Sequence, residues 1–232
     1  MLNFAIRIVA ALLPAILLLV YIRKKDRLEP EPPRLIRKLV LGGVLAIVPA
    51  IILEDIVSSV LDATVPQGTV LYATLEAFVV AAMVEEACKL FFLHRFTWKD
   101  PNFNCWFDGI VYAVAVSLGF AALENVLYVL QGGLTVALMR AILSIPGHMG
   151  FAVFMGMRYS RAKFWQMRGD PARAKQAMLS AYLLAVLMHG IYDACLMINT
   201  GWSNAIFDVF VIAMDLVVWC SIKRDSATDR SF

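Results

Sequence analysis

VLYATLEAFVVAAMVEEACKLFFL, residues 70–93, is an apolar run that carries Glu85, Glu86 and, one helical turn on, Lys89. About 20 apolar residues are enough to span the roughly 30 Å hydrocarbon core of a bilayer, so this run reads as a membrane-crossing helix. A charged side chain at that depth costs roughly 2.5–3.5 kcal/mol on insertion scales, and charge retained there marks a functional site by default. At about 100° per residue, Lys89 projects about 40° from Glu85 and about 60° from Glu86, placing all three in one sector. Glu76 projects about 180° from Glu85, nearer the outer interface, and is expected to lie apart from them.

The rest of the chain has the same apolar character. Its 232 residues are 61% hydrophobic and 17% charged, with mean hydropathy +0.73, far more apolar than a soluble domain. Further candidate spans are 4–22, 39–61, 107–130, 134–158, 176–198 and 205–222. The expected fold class is therefore all-α, a polytopic transmembrane helix bundle of about seven spans forming a single integral membrane domain over 1–232.

Loop charges orient that bundle. Arg23, Lys24, Lys25 and Arg27 follow the first span, which has no small-residue cleavage site and reads as a retained helix. Arg34, Arg37 and Lys38, then Arg95 and Lys99, then Arg158, Arg161, Lys163, Arg168, Arg173 and Lys175 fall on the same side, as does the 223–232 polar tail. The loops near 62–68, 131–133 and 199–204 contain no Lys or Arg. The positive-inside rule puts the N-terminus outside and the C-terminus in the cytoplasm, in a multi-pass protein of the cytoplasmic membrane. The net charge of +3 thus reflects topology, and a nucleic-acid partner has no support. Cys88, Cys105, Cys195 and Cys220 form no C-x-x-C pair, so no disulfide framework or thiolate metal site is indicated. EPEPP at 29–33 reads as a stiff connector.

Several polar residues share the membrane interior with the Glu85 group. Glu124 and Asn125 lie on one face of the 107–130 span with Ser117, Phe120 and Tyr128, whereas Asp108 is a first-turn acid. In SIPGHMG, Pro146 removes the hydrogen bond to Ile142 and is expected to kink the 134–158 span beside His148, opening a polar cavity. Arg140 lies two turns earlier and is either structural or a weak substrate-binding candidate, as is Asn125. His189 and Asp193 share a face at a spacing of four, which suits either a carboxylate-oriented imidazole or two ligands to one metal. Counting roughly 1.5 Å per residue from the cytoplasmic ends, Glu85, Glu124, His148, His189 and Asp193 all reach the middle third of the membrane. His94 falls at a helix end. Four acids against Lys89, or against Lys89 and Arg140, leave two or three formal negatives, to be neutralised by protons or by a bound divalent cation.

EEACK at 85–89, FDG at 107–109, FAALEN at 120–125, PGH at 146–148 and HGIYD at 189–193 occur in order, and with them the chain resembles the PrsW family of intramembrane proteases. That family is related to the type II CAAX prenyl endopeptidases and to bacteriocin-processing and immunity proteins. Lys89 in place of their Arg, and Glu124 in place of their His, agree with PrsW and argue against prenyl-protein processing. The resemblance implies site-1-type cleavage of a membrane-anchored anti-sigma factor, with a catalytic core at about 69–198.

The expected chemistry is peptide hydrolysis by activated water. Glu85 or Glu86 takes the proton, and Lys89 steadies the pair. His148 and His189, with Glu124 or Asp193, either bind Zn²⁺ or another divalent metal or stabilise the oxyanion directly. Two other classes compete with this reading. A proton- or ion-coupled transporter also places such residues at the midplane, but shows paired broken helices. In a non-catalytic scaffold or immunity-type protein the polar cluster only locks packing.

Overall fold

A computed structural model describes residues 2–232, with side chains from Phe4 onward. Eight α-helices are joined by short turns: α1 (Leu2–Lys25), α2 (Pro33–Thr64), α3 (Val70–Leu75), α4 (Met83–Thr97), α5 (Asp108–Ile142), α6 (Ser144–Met167), α7 (Pro171–Ile198) and α8 (Gly201–Ala227). A π-helical segment, Glu76–Ala82, runs without interruption between α3 and α4. Among the described residues there is no strand, only an isolated antiparallel bridge between Cys105 and Ser231.

The helix boundaries follow from local chemistry. Pro33 starts α2 where its missing N–H costs nothing. Thr69, Asp170 and Thr200 cap α3, α7 and α8 by accepting from Tyr72 N, Arg173 N and Ser203 N. Asn199, in the left-handed region at φ 47°, ends α7.

Five stretches are long and apolar enough to cross a membrane: 4–25, 33–64, 108–167, 171–198 and 201–227. The protein is a multi-pass membrane protein. The stretch 108–167 holds both α5 and α6, and the third helical run, 70–97, carries the charges that set it apart. Apolar side chains on the rim, including Val9, Ile16 and Leu17 of α1 and Val209, Ile212 and Leu216 of α8, are exposed, as expected of a surface facing lipid.

α5 is the buried axis, with residues 108–121 almost wholly enclosed. It crosses α2 at backbone distance: a Cβ on Gly43 would lie 1.9 Å from Val116 O, and one on Gly119 would lie 2.2 Å from Val40 O. Only glycine permits that approach.

Two expectations are corrected here. The 134–158 span is not one helix kinked at Pro146. The chain leaves helical geometry at Gly133 (φ 76°, ψ −162°), and α5 gives way to α6 at Leu143 (φ −110°, ψ −62°). Residues 134–142 double back along 124–132, so that Ala137 packs with Val129 and with Ala11 of α1. Pro146 instead occupies the first turn of α6, where the N–H it lacks has no helical partner to lose. The second correction concerns Glu76. The π segment turns through fewer degrees per residue than an α-helix, so over its seven residues a lag on the order of 100° accumulates. Glu76 accordingly lines the same cavity as Glu85 rather than facing away from it.

Candidate active site

Nine side chains from α4, α5, α6 and α7 join in one continuous polar network. Lys89 is 2% exposed and its ammonium donates to Glu85 Oε2 (2.9 Å), Glu86 Oε1 (2.8 Å) and His148 Nδ1 (3.2 Å). All three of its protons are thereby used, while its charge also lies 4.3 Å from the Phe120 ring centroid. Because Lys89 must donate, His148 accepts at Nδ1, and its Nε2–H donates to Glu124 Oε2 at 3.0 Å. His148 is thus held as the neutral Nε2–H tautomer.

The second histidine has a different arrangement. His189 Nδ1 lies 3.0 Å from Glu86 Oε1, and its Nε2 lies 3.1 Å from Asp193 Oδ2. Both neighbours are carboxyl groups, so the trio shares one proton beyond a neutral ring with two carboxylates, whichever atom carries it. Phe151 stacks on the His189 ring at 4.7 Å and 14°.

Arg140 enters the network through the chain reversal at Gly133. Its Nη2 donates to Glu124 Oε2 (2.7 Å) and its Nε to Asn125 Oδ1 (3.0 Å), with the guanidinium 4.1 Å from the Tyr128 ring centroid. Asn125 has both ends of its amide occupied, since Nδ2 donates to Ala11 O at 2.7 Å. Ser117, on the same face of α5, donates to His148 O at 2.9 Å and fixes the start of α6. Lys89, Arg140 and the proton held at His189 offset three of the four negatives, so the formal excess is smaller than the sequence count.

A cavity of about 840 Å³ adjoins this network. Glu85, Glu124, Arg140, His148, His189 and Asp193 line it, whereas Glu86, Lys89 and Asn125 lie behind its wall. It extends past Glu54, Asp55 and Ser58 of α2 to Glu76, towards the end of the bundle without basic loops. Glu54 and Asp55 went unremarked in the sequence, yet they carry the same signal as Glu85 and Glu86: paired acids within an apolar span. His94 is remote, stacked on Trp98 in the last turn of α4.

The donor chemistry fits a divalent cation. Ligand atoms of Glu85, Glu86 and His148 lie within 4.8 Å of one another, around the Lys89 ammonium that bonds to all three residues. Glu86 Oε2 is buried with no partner.

Comparison with known proteins agrees with this architecture. A sequence model described as PrsW family intramembrane metalloprotease matches residues 31–220. The protein named Protease PrsW from Geobacillus kaustophilus is 32% identical over 215 residues, covering 93% of this chain and 88% of the relative. Those of the same name from Clostridioides difficile and Bacillus subtilis are 34% and 33% identical, covering 88% and 98% of this chain and 84% and 97% of the relatives. No solved structure matches the chain. With a polar network inside apolar helices and this likeness over nearly its whole length, the chain is a peptidase that belongs to the PrsW family of intramembrane metalloproteases.

Proposed function

We propose that the protein cleaves a membrane-anchored protein at the cytoplasmic membrane, with an anti-sigma factor as the substrate class that the family likeness suggests, and that Glu85 is the general base. The observation that supports this most directly is the division between the paired glutamates: Glu85 lines the cavity, and Glu86, 0% exposed, does not. In this reading, Glu85 takes a proton from water as the oxygen attacks the peptide carbonyl, then returns it to the leaving amine as the C–N bond breaks. Lys89 orients Glu85. Glu86 anchors both Lys89 and His189, and Asn125 positions Arg140.

Without a bound metal, His148 Nε2–H and the Arg140 guanidinium, at the cavity wall beside Glu124, would stabilise the oxyanion that develops on the carbonyl oxygen. A divalent metal, when bound, supplies Lewis-acid polarisation of the water and the carbonyl. His148, His189, Glu124 and Asp193 are the residues that would hold it. Seven crossings, with the N-terminus outside, put the basic loops in the cytoplasm and open the cavity towards the opposite side.

Reconstitution in liposomes with a single-span substrate provides the test. Glu85→Gln and His148→Ala are expected to remain folded and to lose cleavage, and Glu85→Gln is expected to copurify with uncut substrate. Normal cleavage by both variants refutes the assignment.

A further inference from the structure

A second cluster of acids lies at the other end of the bundle, among the basic loops. It draws on four separated segments: Asp26 after α1, Glu31 before α2, Asp108 at the start of α5, and Asp229 beyond α8. Asp26, Glu31 and Asp108 are only 4%, 5% and 1% exposed. Backbone amides hold one oxygen of three of them. Glu31 N donates to Asp26 Oδ2 (3.0 Å), Asn104 N and Cys105 N donate to Asp108 Oδ2 (2.9 and 2.6 Å), and Phe107 N donates to Asp229 Oδ1 (2.9 Å).

The opposite oxygens remain. Asp26 Oδ1 and Glu31 Oε2 are buried without hydrogen-bond partners. Ligand atoms of Cys105, Asp108 and Asp229 lie within 4.8 Å of one another. Among the described residues, no Lys, Arg or His forms an ion pair with any of the four acids. Burial, reinforced by the neighbouring acids, pushes Asp26 up to about 6 and Glu31 up to about 8. Buried carboxylates without a cation are costly, and a hard divalent cation that binds through one or two carboxylates keeps several waters with which to reach the others.

We propose that one hard divalent cation, of the Mg²⁺ or Mn²⁺ class, is held directly by Asp108 and Asp229 and through its water shell by Asp26 and Glu31, and fastens segment 228–232 to the α1–α2 connector and the start of α5. The segment already has partial attachment. Trp106 N donates to Arg230 O (3.1 Å), Phe232 N donates to Asn104 O (2.9 Å), and Phe232 packs on Phe103 and Trp106. The cation completes that contact by neutralising the acids beneath it.

The test uses the full chain, purified in detergent and stripped with chelator, then titrated with Mn²⁺ while free Mn²⁺ is read by EPR. Wild type is expected to bind one Mn²⁺ more than Asp229→Asn and than the double variant Asp26→Asn, Glu31→Gln, and His148→Ala is expected to keep that one Mg²⁺-displaceable Mn²⁺. Asp229 is only half-buried, so its variant remains informative if the double variant fails to fold. Trypsin cleavage after Arg230 is expected to slow at least fivefold when Mn²⁺ is added to wild type, and not in Asp229→Asn. Equal stoichiometry in wild type and Asp229→Asn overturns the proposal, as does binding of Zn²⁺ alone that depends on Cys105 and not on Asp229.

Discussion

Replacing Lys89 by Met removes the one cation that three buried groups share, and the size of the effect can be worked from their contacts. Glu85, Glu86 and His148 each lose a bond of 2.8–3.2 Å, and two adjacent carboxylates face each other without a counter-charge. Breaking a buried ion pair by deleting one partner costs about 3–5 kcal/mol. There is an independent ceiling, because one carboxyl can take a proton from solution instead. From a reference near 4.3, that costs roughly 3.7 kcal/mol at pH 7 and roughly 1 kcal/mol at pH 5.

The expected destabilisation of Lys89→Met is therefore about 3–4 kcal/mol at pH 7, shrinking to about 1 kcal/mol at pH 5. The sign follows from linkage: above the reference value the folded variant binds one proton more than its unfolded chain, so its stability falls as pH rises, by about 1.4 kcal/mol per unit. Reversible unfolding in mixed micelles, followed by circular dichroism at both pH values, measures this. Adding Glu85→Gln and Glu86→Gln to Lys89→Met should restore most of the loss at pH 7. A pH-independent loss, or no rescue by the amides, refutes the reasoning.

Glu85→Gln should lower kcat by about 10²–10⁴, while Glu86→Gln should shift the unfolding midpoint more, since it loses its charge against both Lys89 and His189. Kinetics and melts on the same two preparations separate the roles, and the reverse order excludes Glu85 as the base. Gly43→Ala should destabilise by about 1–3 kcal/mol or more, because the new Cβ meets Val116 backbone at 1.9 Å, whereas at Gly42 it meets the movable Phe96 ring edge at 2.7 Å. Comparable melting of Gly42→Ala and Gly43→Ala would falsify the close-crossing argument. Dialysis against a strong chelator should abolish cleavage, and added Zn²⁺ should restore it; full activity in protein shown by elemental analysis to lack stoichiometric metal rules out the metal version.

Much of this arrangement was legible because membrane insertion makes charge conspicuous. Glu85, Glu86, Lys89, Glu124, His148, His189 and Asp193 were singled out as side chains with no reason to be in apolar spans, and the structure brings all seven into mutual contact. What escaped detection was backbone geometry. The reversal at Gly133 and the break at Leu143 are single-residue changes in φ and ψ, and hydropathy averages over both. Arg140 consequently reads in the sequence as structural or as a weak substrate-binding candidate, although its guanidinium donates to Glu124 at 2.7 Å. The burial of Asp26 and Glu31 was hidden for another reason: a polar connector reads as solvated, and only the folded chain encloses both side chains.

The seven-residue π segment gives the third helix two independent phases. Upstream of it, Glu76 sets the lining at the far end of the cavity. Downstream, Glu85 and Glu86 keep ordinary α-helical phase with Lys89. A one-residue deletion within 76–82 that restored regular winding would rotate Glu76 out of the cavity and leave the spacing of Glu85, Glu86 and Lys89 intact. The helix thus behaves like a combination lock with two dials on one shaft, allowing selection to retune what the cavity admits without moving the charges that would do the chemistry.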